Sequence, residues 1–156
     1  MAESQLENIV NIFSAISKLE STLGELYAEC ARKYPEEIDF WGRLSHEEIK
    51  HAEDVSRAAN IFSQNSSIFR QTGPYNITAL GNVTRYVNDI HAKLTQRKMS
   101  KKELLVCVRD IEQSVLGTRG LDFLKTDHVE YMAISERIAE DTMRHKTRLS
   151  ERITKA

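Results

Sequence analysis

The sequence predicts an all-α chain folded as a single domain over residues 1–156. Three observations carry that expectation. Apolar residues recur at steps of three and four through most of the chain, the spacing that turns one face of a helix inward. Two prolines and six glycines are few interruptions for 156 residues. The alternating β-branched and aromatic runs that mark strands are scarce.

The first helix is expected from about Glu3 to Lys33, with Ile9, Phe13, Ile16, Glu20, Leu23, Tyr27 and Cys30 on one face. Tyr34-Pro35 ends it, and Pro35 suits the first turn of the next helix, whose positive end Glu36 and Glu37 favour. That second helix should reach about Ser63, facing Ile38, Trp41, Leu44, Glu48, Ala52, Val55, Ala59 and Phe62 inward. Residues 64–77 form the clearest break, with Gly73-Pro74 a strong turn signal. A weaker helix over about Thr78 to Gln96 follows, with Leu80, Val83, Val87, Ile90 and Leu94 on one side. Ser100 and Glu103 have the spacing of a capping box and open a third main helix, carrying Leu105, Val108, Glu112, Val115 and Phe123. Asp127-His-Val-Glu130 opens the fourth in a similar way, with Tyr131, Ile134, Ile138, Thr142, His145 and Leu149 in its stripe. Four long helices and one long connection imply a four-helix bundle whose crossover contains a short extra helix.

Composition excludes several classes of function. Charged residues are 29% of the chain but the formal net charge is −1, so neither a basic nucleic-acid face nor an acidic tail is expected. The basic stretch over residues 96–102 is too small for specific nucleic-acid binding. The longest apolar runs are a few residues, too short to span a bilayer. Met-Ala-Glu-Ser-Gln lacks the basic start and apolar stretch of a secretory signal, so a cytoplasmic location is expected. Cys30 and Cys107 stand apart without a C-x-x-C, which argues against a disulfide framework or a four-thiolate metal site.

Against this plain background, Glu20, Glu48 and Glu112 occupy stripe positions where Leu or Ile would serve packing. A buried carboxylate is costly unless it is paired or binds a cation. No Lys or Arg lies within the inward stripes; Arg119, two turns after Glu112, comes nearest. His51 follows Glu48 by three residues, so the two share a helix face and can reach one ion. The halves have similar spacing, 31 residues from Glu20 to His51 and 33 from Glu112 to His145. That is the outline of a two-metal site with a Glu from each of two helices and a Glu-x-x-His from each of the others. Oxygen and imidazole ligands suit iron, with manganese or zinc as alternatives. The outline has one defect: Thr142 stands where the second Glu-x-x-His needs its glutamate. His46 and His51 are five apart, which rules out the zinc-protease motif, whose histidines are four apart.

The stretches Glu20-Ser-Thr-Leu-Gly-Glu-Leu-Tyr27 and Trp41-Gly-Arg-Leu-Ser-His-Glu-Glu48-Ile-Lys-His51-Ala resemble the first helix pair of the rubrerythrin branch of the ferritin-like superfamily. Val108-Arg-Asp-Ile-Glu112 resembles that family's third-helix ligand segment, and Ile138-Ala-Glu-Asp-Thr142-Met-Arg-His145 its fourth-helix motif except at Thr142. The resemblance covers nearly the whole chain. It implies a diiron centre reacting with peroxide or oxygen, with Glu48 bridging and Tyr27 beside the site as a hydrogen-bond partner. It also implies a homodimer. The four-cysteine rubredoxin-like domain that often accompanies this family is missing, so electrons would come from a separate donor protein.

Thr142 leaves three outcomes. Asp141, four residues before His145, could supply the missing ligand. One ion could remain, held by Glu20, Glu48 and His51. Or the site could be lost and the bundle kept as a noncatalytic scaffold or interaction protein. Iron storage, which needs a large hollow assembly, is a further alternative.

Overall fold

The computed structural model describes residues 1–117 and 120–156. Among them are five helices: α1 (Glu3–Lys33), α2 (Ile38–Gln64), α3 (Ile77–Thr95), α4 (Lys101–Gly117) and α5 (Val129–Lys155). The all-α expectation holds. Two short strands, β1 (Arg70–Gln71) and β2 (Leu124–Lys125), pair antiparallel with Arg70 opposite Lys125. They tie the connection after α2 to the one before α5, and Thr72 N–H extends the tie by donating to the Phe123 carbonyl at 3.0 Å.

Helix ends follow local chemistry. At α4 the capping box forms: Glu103 N–H donates to Ser100 Oγ at 3.2 Å, and Ser100 N–H donates to Glu103 Oε2 at 2.8 Å. Asn76 caps α3 by accepting from Ala79 N–H at 2.9 Å. The cap of α5 is one residue later than expected: His128, not Asp127, accepts the Tyr131 N–H on its Nδ1. Pro35 starts a 3-10 turn, Pro35–Glu37, rather than the α-helix itself. Ile38 consequently lies exposed at the start of α2 instead of facing the core. Phe123 is buried as expected but lies in the turn before β2, not on α4. Arg119 lies outside the described residues.

After α3 the chain reverses through Arg97, a non-glycine residue at φ 59°. Lys98 N–H reaches back to the Lys93 carbonyl at 2.9 Å, closing the helix end. A left-handed backbone crowds any Cβ, so Arg97→Gly is expected to stabilise the fold by about 0.5–1 kcal/mol. The urea midpoint checks this, and an unchanged or lower one would show that Arg97 sits there without strain.

The core is layered along the helices. Phe13, Phe62, Phe69, Phe123 and Tyr131 interlock at one level, with ring centroids 5.0–6.3 Å apart. Tyr27, Trp41 and Phe40 pack at another, at 4.9 and 5.9 Å. Beyond this second layer Glu37 joins three elements, accepting from Trp41 Nε1 at 3.3 Å and pairing with Lys101 at 2.7 Å and Arg152 at 2.9 Å. The buried polar residues lie between the two aromatic layers. There α1 and α2 approach closely at Gly24, where an added Cβ would stand 2.9 Å from Ile49 Cγ1 and 3.4 Å from the Ser45 carbonyl. Ser45 Oγ uses the approach to donate to the Gly24 carbonyl at 2.7 Å.

Candidate metal centre

Four helices contribute to one buried polar cluster. Glu20 and Tyr27 come from α1, Glu48 and His51 from α2, Glu112 from α4, and Thr142 and His145 from α5. All are at most 2% exposed. Their potential ligand atoms form two triads that share Glu48: Glu20, Glu48 and His51, and Glu48, Glu112 and His145, each with its atoms within 4.8 Å of one another.

Both imidazoles turn Nδ1 inward. His51 Nδ1 lies 3.2 Å from Glu48 Oε2 and 3.9 Å from Glu20 Oε2. His145 Nδ1 lies 2.7 Å from Glu48 Oε1 and 3.6 Å from Glu112 Oε1. The rings are nearly parallel, 5.8 Å between centroids. Although Glu48 Oε1 and His145 Nδ1 are close, neither has a hydrogen-bond partner. With no proton between them these two buried atoms would be costly to leave facing each other, and a proton on Nδ1 makes them an ion pair at 2.7 Å. A shared cation would satisfy both.

The outer nitrogens are held by acids that cross between helices. His51 Nε2 on α2 donates to Asp141 Oδ2 on α5 at 2.9 Å, and His145 Nε2 on α5 donates to Glu47 Oε2 on α2 at 2.6 Å. Each acid is backed by an arginine, Asp141 by Arg144 and Glu47 by Arg43. An outer acid of this kind fixes the ring orientation and raises the basicity of the inner nitrogen. Asp141, weighed above as a substitute ligand, therefore faces the wrong nitrogen to join either triad. Its side chain, one residue before Thr142, points past the cluster to the outer edge of His51. Glu47 was missed, although its signal was present: it precedes Glu48 as Asp141 precedes Thr142, and each lies four residues before a histidine. Replacing either outer acid by its amide, Glu47→Gln or Asp141→Asn, is expected to weaken ion binding about 10- to 100-fold while leaving all five inner residues in place. Titration with a divalent metal checks this, and unchanged affinity would exclude an outer-partner role.

Protonation follows from burial and proximity. Burial, with Glu48 and Glu112 nearby, raises the Glu20 carboxyl well above its usual range. Burial acts the same way on Glu48, but contacts with Glu20, His145 and His51 outweigh it and hold Glu48 ionised well below that range. Burial and the Glu48 charge push Glu112 up to about 7, against the pull of His145 and Tyr27. For the imidazoles burial opposes the charge. Glu48 and Asp141 nevertheless raise His51, and Glu112 and Glu48 carry His145 up to about 11. Without an ion, the Glu48 charge favours protons on both imidazoles and on Glu20. Tyr27, raised by burial and by Glu112, keeps its proton and donates it to Glu112 Oε1 at 2.6 Å.

The structure thus brings Glu20, Tyr27, Glu48, His51, Glu112 and His145 together and sets Asp141 against the outer nitrogen of His51. Among the described residues no helix is long and apolar enough to cross a membrane. No family model matches the chain, and no curated protein or solved structure does.

Proposed function

We propose that the chain is a non-haem metal protein of rubrerythrin type. Its α1, α2, α4 and α5 would form a ferritin-like four-helix bundle with α3 in the crossover. The observation that carries this reading is the pair of buried carboxylate–imidazole triads, drawn from four helices, that share Glu48. Glu20, Glu48 and His51 would hold one ion and Glu48, Glu112 and His145 a second, with Glu48 common to both. The donor set of carboxylate oxygens and imidazole nitrogens fits iron, and also manganese or zinc.

Iron in this centre would supply electrons, one per ferrous ion, to peroxide or oxygen. The chain's own residues do the rest. Asp141 and Glu47 hold the imidazoles with Nε2–H outward, so Nδ1 presents a lone pair inward once its proton leaves. Tyr27 keeps a hydrogen-bond donor on Glu112. The aromatic layers on either side keep bulk water away, which strengthens every charge interaction between them. Electrons to reset the centre would come from a separate donor protein, and a cytoplasmic homodimer is the proposed form.

The test is anaerobic loading with ferrous iron followed by peroxide. At least one iron should bind per chain, and peroxide should oxidise it. Melting temperature should rise, since an ion present at 100 times its Kd adds about 2.7 kcal/mol of stability. Failure to bind iron, manganese or zinc would end this reading. Thr142 favours one other reading, a bundle that has lost its ions and serves as a scaffold. That reading predicts the same melting temperature with and without metal. Iron storage would instead require a large assembly, which gel filtration detects.

A further inference from the structure

Thr142 is where the two halves of the centre differ. Glu47-Glu48-x-x-His51 and Asp141-Thr142-x-x-His145 match position for position: an outer acid, an inner residue, then an imidazole. The outer acids and imidazoles pair reciprocally between α2 and α5, at 2.9 Å and 2.6 Å. The inner position breaks the match. Glu48 places a carboxylate between the triads. Thr142, 2% exposed, turns its hydroxyl back to donate to the Ile138 carbonyl at 2.8 Å and brings no charge.

This difference has an electrostatic consequence. Glu20, Glu48 and Glu112 supply three negative charges, and the ion pairs these three make among the described residues are with imidazoles alone. The outer acids add nothing net, because Arg43 and Arg144 answer them. Two divalent ions would bring four positive charges into the same dry interior. One positive charge would then be buried without a counterion from the protein, which costs far more than a single helical contact can return. A glutamate at position 142 would have cancelled it. Threonine leaves that to something from solution.

We propose that Thr142 makes binding of a second divalent ion conditional on a small monocarboxylate, formate or acetate in size, taken up with it on the α5 side of the centre. This rests on the metal-centre reading above. A monocarboxylate carries the one charge required, and its head group is the same as that of the absent glutamate. The second ion and the carboxylate enter together, or neither does.

The experiment uses the full chain and Mn(II) alone, in chloride buffer and in graded acetate. Calorimetry counts the ions, and electron paramagnetic resonance separates one isolated Mn(II) from a coupled pair. Without acetate the protein should take one Mn(II) with a mononuclear spectrum. Millimolar acetate should recruit the second and give the coupled spectrum. Below saturation, the affinity for the second ion should rise about tenfold for each tenfold increase in acetate. Thr142→Glu should take two ions in chloride alone and ignore acetate. Two ions bound by the unsubstituted protein without acetate, or one ion regardless of acetate, would overturn the proposal while the metal centre itself stands. No Mn(II) bound by either protein would overturn both. If Thr142→Glu does not fold, the acetate titration of the unsubstituted protein decides alone.

Discussion

Glu48→Ala is expected to remove ion binding from both triads at once and to destabilise the metal-free protein by about 3–5 kcal/mol. The double effect follows from its position. Glu48 is the residue common to both triads. It is also the carboxylate that both inward imidazole nitrogens face, at 3.2 Å from His51 and 2.7 Å from His145. Without an ion, Glu48 favours the protonated form of both rings. Removing it leaves two cations 5.8 Å apart in a dry core. One of them must then lose its proton, or the helices must part. Glu20→Ala affects only one triad, so the triad of Glu48, Glu112 and His145 should still take an ion. Urea unfolding of the metal-free variants, paired with metal titration, measures both effects. A Glu48→Ala protein that keeps one ion at full affinity, or unfolds within about 1 kcal/mol of the parent, would contradict the shared role.

Much of this arrangement was legible before any coordinates. Helix α1 follows its periodicity from Glu3 to Lys33 because thirty-one residues of consistent spacing leave little room for an alternative. The capping box at Ser100 is equally local, since both of its hydrogen bonds lie within one turn. Glu20, Glu48 and Glu112 could be singled out because a carboxylate in an apolar stripe breaks a pattern that packing alone would keep. What could not be read depends on contacts between distant segments. Asp141 and Glu47 share a spacing with their own histidines, yet each serves the histidine of the other helix, and only the crossing of α2 and α5 decides that. Phe123 fits the helical spacing of α4, but apolar spacing cannot tell a buried turn from a buried helix. The two-residue pairing of Arg70 with Lys125 is too short to leave any alternation in the sequence. Its partners are brought together by the ends of helices rather than by their own preference for extended backbone.

The stabilisation that an ion adds is expected to grow with pH over the range in which the metal-free fold weakens. In the metal-free state the folded pKa of His145 is raised from 6.5 to about 11. Its contribution to stability is therefore complete below about pH 6.5 and is lost as pH climbs through 11. Glu112, raised from 4.5 to about 7, adds a loss of the same sign across its lower window. Glu48 is held low, so its contribution is present above the ordinary carboxylate range and disappears only in acid. Between about pH 6.5 and 9 the metal-free protein should thus lose stability steadily. An ion needs the lone pairs those protons occupy, so each proton displaced makes affinity rise about tenfold per pH unit. Stabilisation by a fixed concentration of Mn(II) should then grow over the same interval in which the metal-free fold weakens. The measurement is a pair of melting curves, one with Mn(II) and one with chelator, at steps between about pH 6 and 8.5. The gap between them should widen upward in pH. Two curves running parallel would mean that ions and protons do not compete for the same nitrogen atoms, and Nδ1 of His51 and of His145 would lose their place as ligands.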